Sequence, residues 1–168
     1  MKVNLRMLET DDAPLMLEWM HDEFVVRDMK SNFAAKTLQD CLTFIKTAQD
    51  TAENLHLAIV DDNDTYMGTV SLKNILKSSA EFGITVRKCA MGKGFAKYAM
   101  QSIIEIGFSQ YGLQRIYWCV APENQRAIRF YDRNKYERCM SPAEAHNYYT
   151  AGEIDHFIWY VVNEAGIG

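Results

Sequence analysis

From residue 87 to 96 the chain reads Arg87-Lys88-Cys89-Ala90-Met91-Gly92-Lys93-Gly94-Phe95-Ala96, with an apolar run, Phe82–Val86, before it and a long helical pattern after it. A strand, a glycine turn and a helix in immediate succession gather free backbone N–H groups at the positive end of a helix dipole, which makes an anion site. Gly92 and Gly94 carry no Cβ, so a phosphate can approach the backbone closely. Lys88 and Lys93 add positive charge. Two phosphate motifs are excluded by spacing. A Walker A loop would need glycine at Arg87 and Ser or Thr at Gly94, and a dinucleotide fingerprint would need a third glycine at Lys97. The turn is also compatible with a helix start that holds no ligand.

A second constellation lies in Glu123-Asn124-Gln125-Arg126-Ala127-Ile128-Arg129-Phe130-Tyr131. Asn124, Ala127 or Ile128, and Tyr131 fall at helical spacing on one face. That face carries an amide and a phenol where a core helix would carry aliphatics. Tyr131 taken alone is equally a half-buried packing tyrosine.

The turn resembles the acetyl-CoA pyrophosphate loop of the GCN5-related N-acetyltransferases (GNAT), Gln/Arg-x-x-Gly-x-Gly/Ala, with Cys89 in place of the first residue. The family's Asn-x-x-Ala-x-x-x-Tyr is matched by Asn124, Ala127 and Tyr131, and Lys135-Tyr136 stands where Gly-Phe is usual. The resemblance spans nearly the whole chain, as one domain over residues 1–168, and is nearest to the ribosomal-protein and spermidine N-acetyltransferase subgroup. It implies acetyl-CoA as cosubstrate and no metal. It implies pantetheine paired to backbone near Ile84 and Val86, diphosphate held around Arg87, Lys88, Gly92, Lys93, Gly94, Phe95 and Ala96, and contacts from Asn124, Ala127 and Tyr131. Tyr131 would protonate the departing thiolate. Acyl transfer to an amine also needs something to take the amine proton. Glu81, on the strand that feeds the glycine turn, is the candidate base, and its plain alternative is an exposed strand residue. Dimers are common in the subgroup, so a homodimer is a further expectation.

The elements needed to position these groups follow from the pattern. Strands are expected at Val3–Leu8, Leu55–Val60, Tyr66–Leu72, Ala80–Val86, Arg115–Val120, Tyr136–Met140 and Ile154–Val162. Helices are expected after Thr10–Pro14, at Leu38–Ile45, after Gly94, and from Pro122 to about Arg133. Glu23–Ala35 reads as a loop with a short turn, and Ala151-Gly152 as a hairpin turn. The order β-α-α-β-β-β-α-β-α-β-β predicts an α/β (mixed α+β) domain. It should hold a twisted, mostly antiparallel mixed sheet of about seven strands with helices on both faces.

Composition fits that class. The chain has 168 residues, 48% apolar and 24% charged, with net charge -4. An acidic chain argues against a general nucleic-acid binder. The first residues lack the apolar core of a signal peptide and no run approaches a membrane span, so a reduced cytoplasmic protein is expected. Cys41, Cys89, Cys119 and Cys139 form no Cys-x-x-Cys pair, and Cys41 and Cys119 read as buried. His56 and His156 are expected in strands as structural residues, and His21 and His146 near the acceptor cleft. Residues 9–28 hold seven acids (Glu9, Asp11, Asp12, Glu18, Asp22, Glu23, Asp28) against Arg27. They form either a wall that attracts a cationic amine or a solvated face. The acceptor is left open: a polyamine, amino sugar, nucleotide sugar, amino acid or protein N-terminus. A non-catalytic CoA sensor and an unrelated phosphate-ester binder are the competing readings.

Overall fold

The computed structural model describes residues 2–164. Seven strands form one sheet: β1 (Asn4–Met7), β2 (Leu55–Val60), β3 (Tyr66–Lys73), β4 (Ser79–Val86), β5 (Arg115–Val120), β6 (Glu137–Cys139) and β7 (Ile158–Asn163). Their order across the sheet is β1-β2-β3-β4-β5-β7-β6, and every neighbouring pair is antiparallel except β4 and β5. A parallel pair needs a crossover. Here it is α4 (Phe95–Ser109), which buries Phe95, Ala99, Met100, Ile103, Ile104 and Gly107 against the sheet.

The remaining helices are α1 (Ala13–Met20), α2 (Glu23–Val26), α3 (Leu38–Thr47), α5 (Gln125–Arg133) and α6 (Ala151–His156). Strand alternation sorts side chains onto two faces. Leu57, Ile59, Val70, Leu72, Ala80, Phe82, Ile116 and Trp118 pack with α4 and α5. Ala58, Val60 and Tyr66 pack with α1 and α3, and Tyr117 and Trp159 pack with Ala145 and Ile154.

The loop expected at Glu23–Ala35 holds a short turn, α2, which Asp22 starts by accepting from the amide of Phe24. Two expected elements are corrected. Residues 151–156 form α6, not a hairpin turn, because Thr150 and Glu153 make a reciprocal capping box. The last strand therefore begins at Ile158 rather than Ile154, and His156 ends a helix rather than lying in a strand.

The feature that matters most is a split. β4 and β5 pair only from Ser79–Glu81 to Arg115–Tyr117 and then part. At the parting, the Trp118 ring packs against Phe82 (centroids 5.3 Å), Tyr131 (5.4 Å), Tyr136 (5.3 Å) and Tyr160 (5.7 Å, stacked). This aromatic wedge occupies the α4/α5 side of the vertex.

Candidate active site

Glu81 is the last residue of β4 paired to β5, at the vertex of the split, and only 3% exposed. It points to the α1/α3 face. The Tyr149 hydroxyl donates to its Oε2 at 2.5 Å, and Asn74 Nδ2 donates to Oε1 at 3.4 Å. The exposed-strand alternative for Glu81 is therefore incorrect. Burial first, and then the neighbouring Cys119 and Glu81, drives the Tyr149 phenol well above its ordinary range, so it stays a donor. Tyr149 is set in place from behind: the capping box of α6 begins at the next residue, and the ammonium of Lys30 lies 4.7 Å from its ring centre.

Tyr131 lies on the opposite face of the sheet. It sits on the buried side of α5, among Trp118, Phe130 and Tyr160. Its hydroxyl makes no hydrogen bond among the described residues, and Tyr131 lines the same cavity as Glu81. Burial raises its pKa far above that of an ordinary phenol. One cavity of about 1060 Å³ runs through the split and joins the two faces.

The glycine turn forms one end of this cavity. Gly92 (φ +73°) and Gly94 (φ +87°) are both left-handed, a backbone that L side chains adopt only at a cost. A Cβ at either would meet nothing within 4 Å, so the space in front of the turn is open. The first bond of α4 runs from the amide of Tyr98 to the carbonyl of Gly94. None of the amides from Gly92 to Lys97 donates to a backbone or side-chain group among the described residues. Six consecutive unpaired donors at a helix N-terminus fit a diphosphate. Beyond Glu81, β4 has no strand partner on its β5 side, which leaves backbone groups for an extended amide-bearing arm. The residues present fit acetyl-CoA at both places.

The expected site residues divide. Ile84, Val86, Gly92, Gly94, Ala96, Asn124, Ala127, Tyr131 and Glu81 line the cavity. Arg87 does not: its guanidinium is held by Glu18 (2.9 and 3.0 Å) and by the Tyr66 carbonyl (3.1 Å), and its amide donates to Met67. It fastens α1 to the sheet. Lys88 turns toward the Phe24 ring, 4.9 Å away, Lys93 is exposed, and the Phe95 side chain is buried in the core, so only its amide faces the turn. Asn124 is the N-cap of α5 rather than a residue within it. Its Oδ1 accepts from the amide of Ala127 (3.2 Å), so the Nδ2 group is what remains for a ligand.

Several cavity residues had no expected role. Lys97 lines the diphosphate end. Lys73, His56 and Cys119 line the Glu81 end, along with Tyr149. His56 was expected to be structural, yet it faces the cavity, whereas His21 and His146 do not. His21 instead bonds the Lys36 carbonyl. Cys119 is only partly buried by the sheet, and desolvation pushes its thiol up to about 11. Of the seven acids in residues 9–28, only Asp28 reaches the cavity, so they form no acceptor wall. Among the described residues, no three His, Cys, Asp or Glu side chains are grouped to hold a metal.

Comparison with known proteins agrees with this geometry. The acetyltransferase (GNAT) domain profile matches residues 2–137. The chain is 28% identical over 142 residues to an uncharacterized N-acetyltransferase p20 of Bacillus licheniformis, covering 82% of this chain and 80% of that one. It is 32% identical over 103 residues to the spermidine N(1)-acetyltransferase of Vibrio cholerae, covering 60% and 56%. The crystal structure of spermidine N-acetyltransferase from Vibrio cholerae in complex with CoA and spermine superposes with a TM-score of 0.80 at 19% identity, over 98% of this chain and 96% of that one. The Campylobacter jejuni N-acetyltransferase PseH in complex with acetyl coenzyme A superposes with a TM-score of 0.67 at 16% identity, over 97% and 99%. With a family profile across most of its length and a matching sheet, the chain belongs to the GNAT family of acetyl-CoA-dependent N-acetyltransferases.

Proposed function

We propose that the chain, as a single domain over residues 1–168, acetylates a primary amine by direct attack on the thioester, with Glu81 as general base and Tyr131 as general acid. The ends of that span lie outside the described residues. One observation carries the reading: the unpaired amides of Gly92–Lys97 lead through the β4/β5 split to Glu81 on one face and Tyr131 on the other. Acetyl-CoA supplies the activated acetyl group. The amides of the turn, with Lys97, bind its diphosphate, and Asn124 Nδ2 donates to its arm. Phe95 contributes its amide only, and the side chains of Arg87, Lys88 and Lys93 are not part of the proposed set.

Glu81 takes the proton that the amine loses as its nitrogen bonds to the acetyl carbon. Tyr149 and Asn74 orient that carboxylate for an amine arriving from the α1/α3 face. Tyr131 keeps its proton throughout the working pH range and delivers it to the departing sulfur. A carboxylate and a phenol on opposite faces of a split sheet let proton removal and proton delivery proceed without competing for one position.

Four cysteines with no disulfide among the described residues support a reducing, cytoplasmic setting. No helix of the described residues is long and apolar enough to cross a membrane. The expected homodimer is read from a light-scattering mass against 19.3 kDa per chain.

The test is acetyl-CoA consumption over a panel of polyamines, amino sugars, nucleotide sugars, amino acids and N-terminal peptides. Glu81→Gln should lower kcat about 100-fold or more while acetyl-CoA still binds. Full activity in that variant would remove Glu81 from the chemistry. Acetyl-CoA binding without turnover of any amine would turn the reading to a sensor.

A further inference from the structure

The floor of the cavity on the acceptor face is a row of polar side chains on neighbouring strands. Thr69, Ser71 and Lys73 come from β3, His56 from β2 and Glu81 from β4. His56 Nδ1 is bonded to Ser71 Oγ at 2.6 Å. Lys73 and Glu81 are directly opposite one another in the β3–β4 register, yet their side chains form no ion pair. The Lys73 tail runs instead along the sheet over Gly83, where a Cβ would lie 3.2 Å from its Cε and 3.3 Å from its Nζ. Gly83 has an ordinary strand φ, so the backbone does not demand glycine there. What its missing side chain provides is room for the lysine.

This end carries three acids, Asp28, Asp40 and Glu81, and three lysines, Lys30, Lys36 and Lys73, which differ in how closely each is held. Asp40 accepts from Thr37 within a capping box, Asp28 faces Arg27 at 3.6 Å, and Glu81 is held by Tyr149 and Asn74. Lys30 is paired with Glu153 at 2.9 Å. Lys73 has no acidic partner among the described residues, although it is half-buried. Its charge is felt locally, since it joins burial in holding His56 neutral. An ammonium that faces a cavity with no acid in ion-pair contact is free to form a charge-assisted bond with an incoming anion.

We propose that the acceptor is a primary amine that also carries a carboxylate or phosphate, the amine directed to Glu81 and the anion held by Lys73, with His56 and Ser71 beside it. Lys73 and Glu81 leave the sheet side by side and the lysine then extends about two residues along β4, which sets amine and anion about 5–7 Å apart. That is the span of a small metabolite. A polycation would meet Lys73 as a like charge. The proposal rests on the acetyl-transfer reading and narrows its substrate.

The experiment uses matched acceptors: an α-amino acid against its amide, an amino sugar phosphate against the free amino sugar, and spermidine. At least one anionic member should exceed its neutral partner by about tenfold or more in kcat/KM, and spermidine should be poorer still. Which pair responds separates carboxylate from phosphate. Lys73→Met should raise KM for the anionic member about tenfold, change kcat less, and leave acetyl-CoA affinity as it was. Neutral members or spermidine outperforming every anion, or Lys73→Met leaving the preference intact, would overturn the proposal. If no amine turns over, calorimetry with the CoA-loaded protein decides. Lys73-dependent binding of an anionic member sustains the anion site while the catalytic reading fails, and equal binding within each pair removes the anion site.

Discussion

At the scale of single residues, the two proposed proton-handling groups differ in how the structure holds them. Glu81 is oriented by two donors, whereas the Tyr131 hydroxyl has none among the described residues and rests on ring packing alone. Tyr131→Phe therefore removes a hydroxyl with nothing to leave unpaired. It should shift the thermal midpoint little yet lower kcat about 100-fold, with acetyl-CoA affinity unchanged. A variant that turned over normally would show that Tyr131 only packs. His56 allows a pH prediction. Burial, aided by Lys73, lowers its pKa from the ordinary 6.5 to about 4. Between those values the unfolded chain binds more protons than the folded one. The contribution is therefore complete above pH 6.5 and is lost as pH falls toward 4. Urea midpoints across that window should fall less steeply in His56→Gln than in the parent. Parallel slopes would contradict the burial argument.

At the scale of elements, some features are plain in the sequence and others are not. Strand alternation and helical periodicity revealed the sheet and α4, because one apolar face on each dictates its period. Gly92 and Gly94 were legible because few other residues adopt a left-handed backbone cheaply. Asn124 was placed inside a helix because its spacing to Tyr131 is helical, although an amide preceding an apolar face is also an N-cap signal. The side-chain fates of Arg87, Lys73 and His56 were not legible. Each depends on which residue lies opposite across strands or helices far apart in sequence, and composition does not carry register. Residues 141–157 lack a strong period, but Thr150-x-x-Glu153 is a capping signature and should have announced α6. Thr150→Ala should cost about 1 kcal/mol of stability through the lost cap. Because the cap fixes the residue after Tyr149, it should also lower kcat more than it raises the KM for acetyl-CoA. Unaltered kinetics would mean that Tyr149 does not depend on α6 for its position.

Across the whole molecule, the design reduces to one interrupted pairing. β4 and β5 begin as parallel neighbours and separate after three residue pairs, and the opening connects the glycine turn with its unpaired amides to the face that carries Glu81, the proposed general base. The aromatic cluster around Trp118 keeps the wedge in place on one side, and the Tyr149 segment closes the other. A ligand that bridges the turn and the split should stabilise the fold by mass action, about 2.7 kcal/mol at a hundred times its dissociation constant. The central claim is that the amides of residues 92–97 are unpaired because they wait for a diphosphate. Amide NMR spectra recorded during a titration with CoA test it most directly. The account predicts that the amides of Gly92–Lys97 show the largest shifts, and that Gly94→Ala, which strains the left-handed turn without meeting a neighbour, abolishes them at the same CoA concentration. CoA binding that leaves those six amides unmoved while others respond would contradict it.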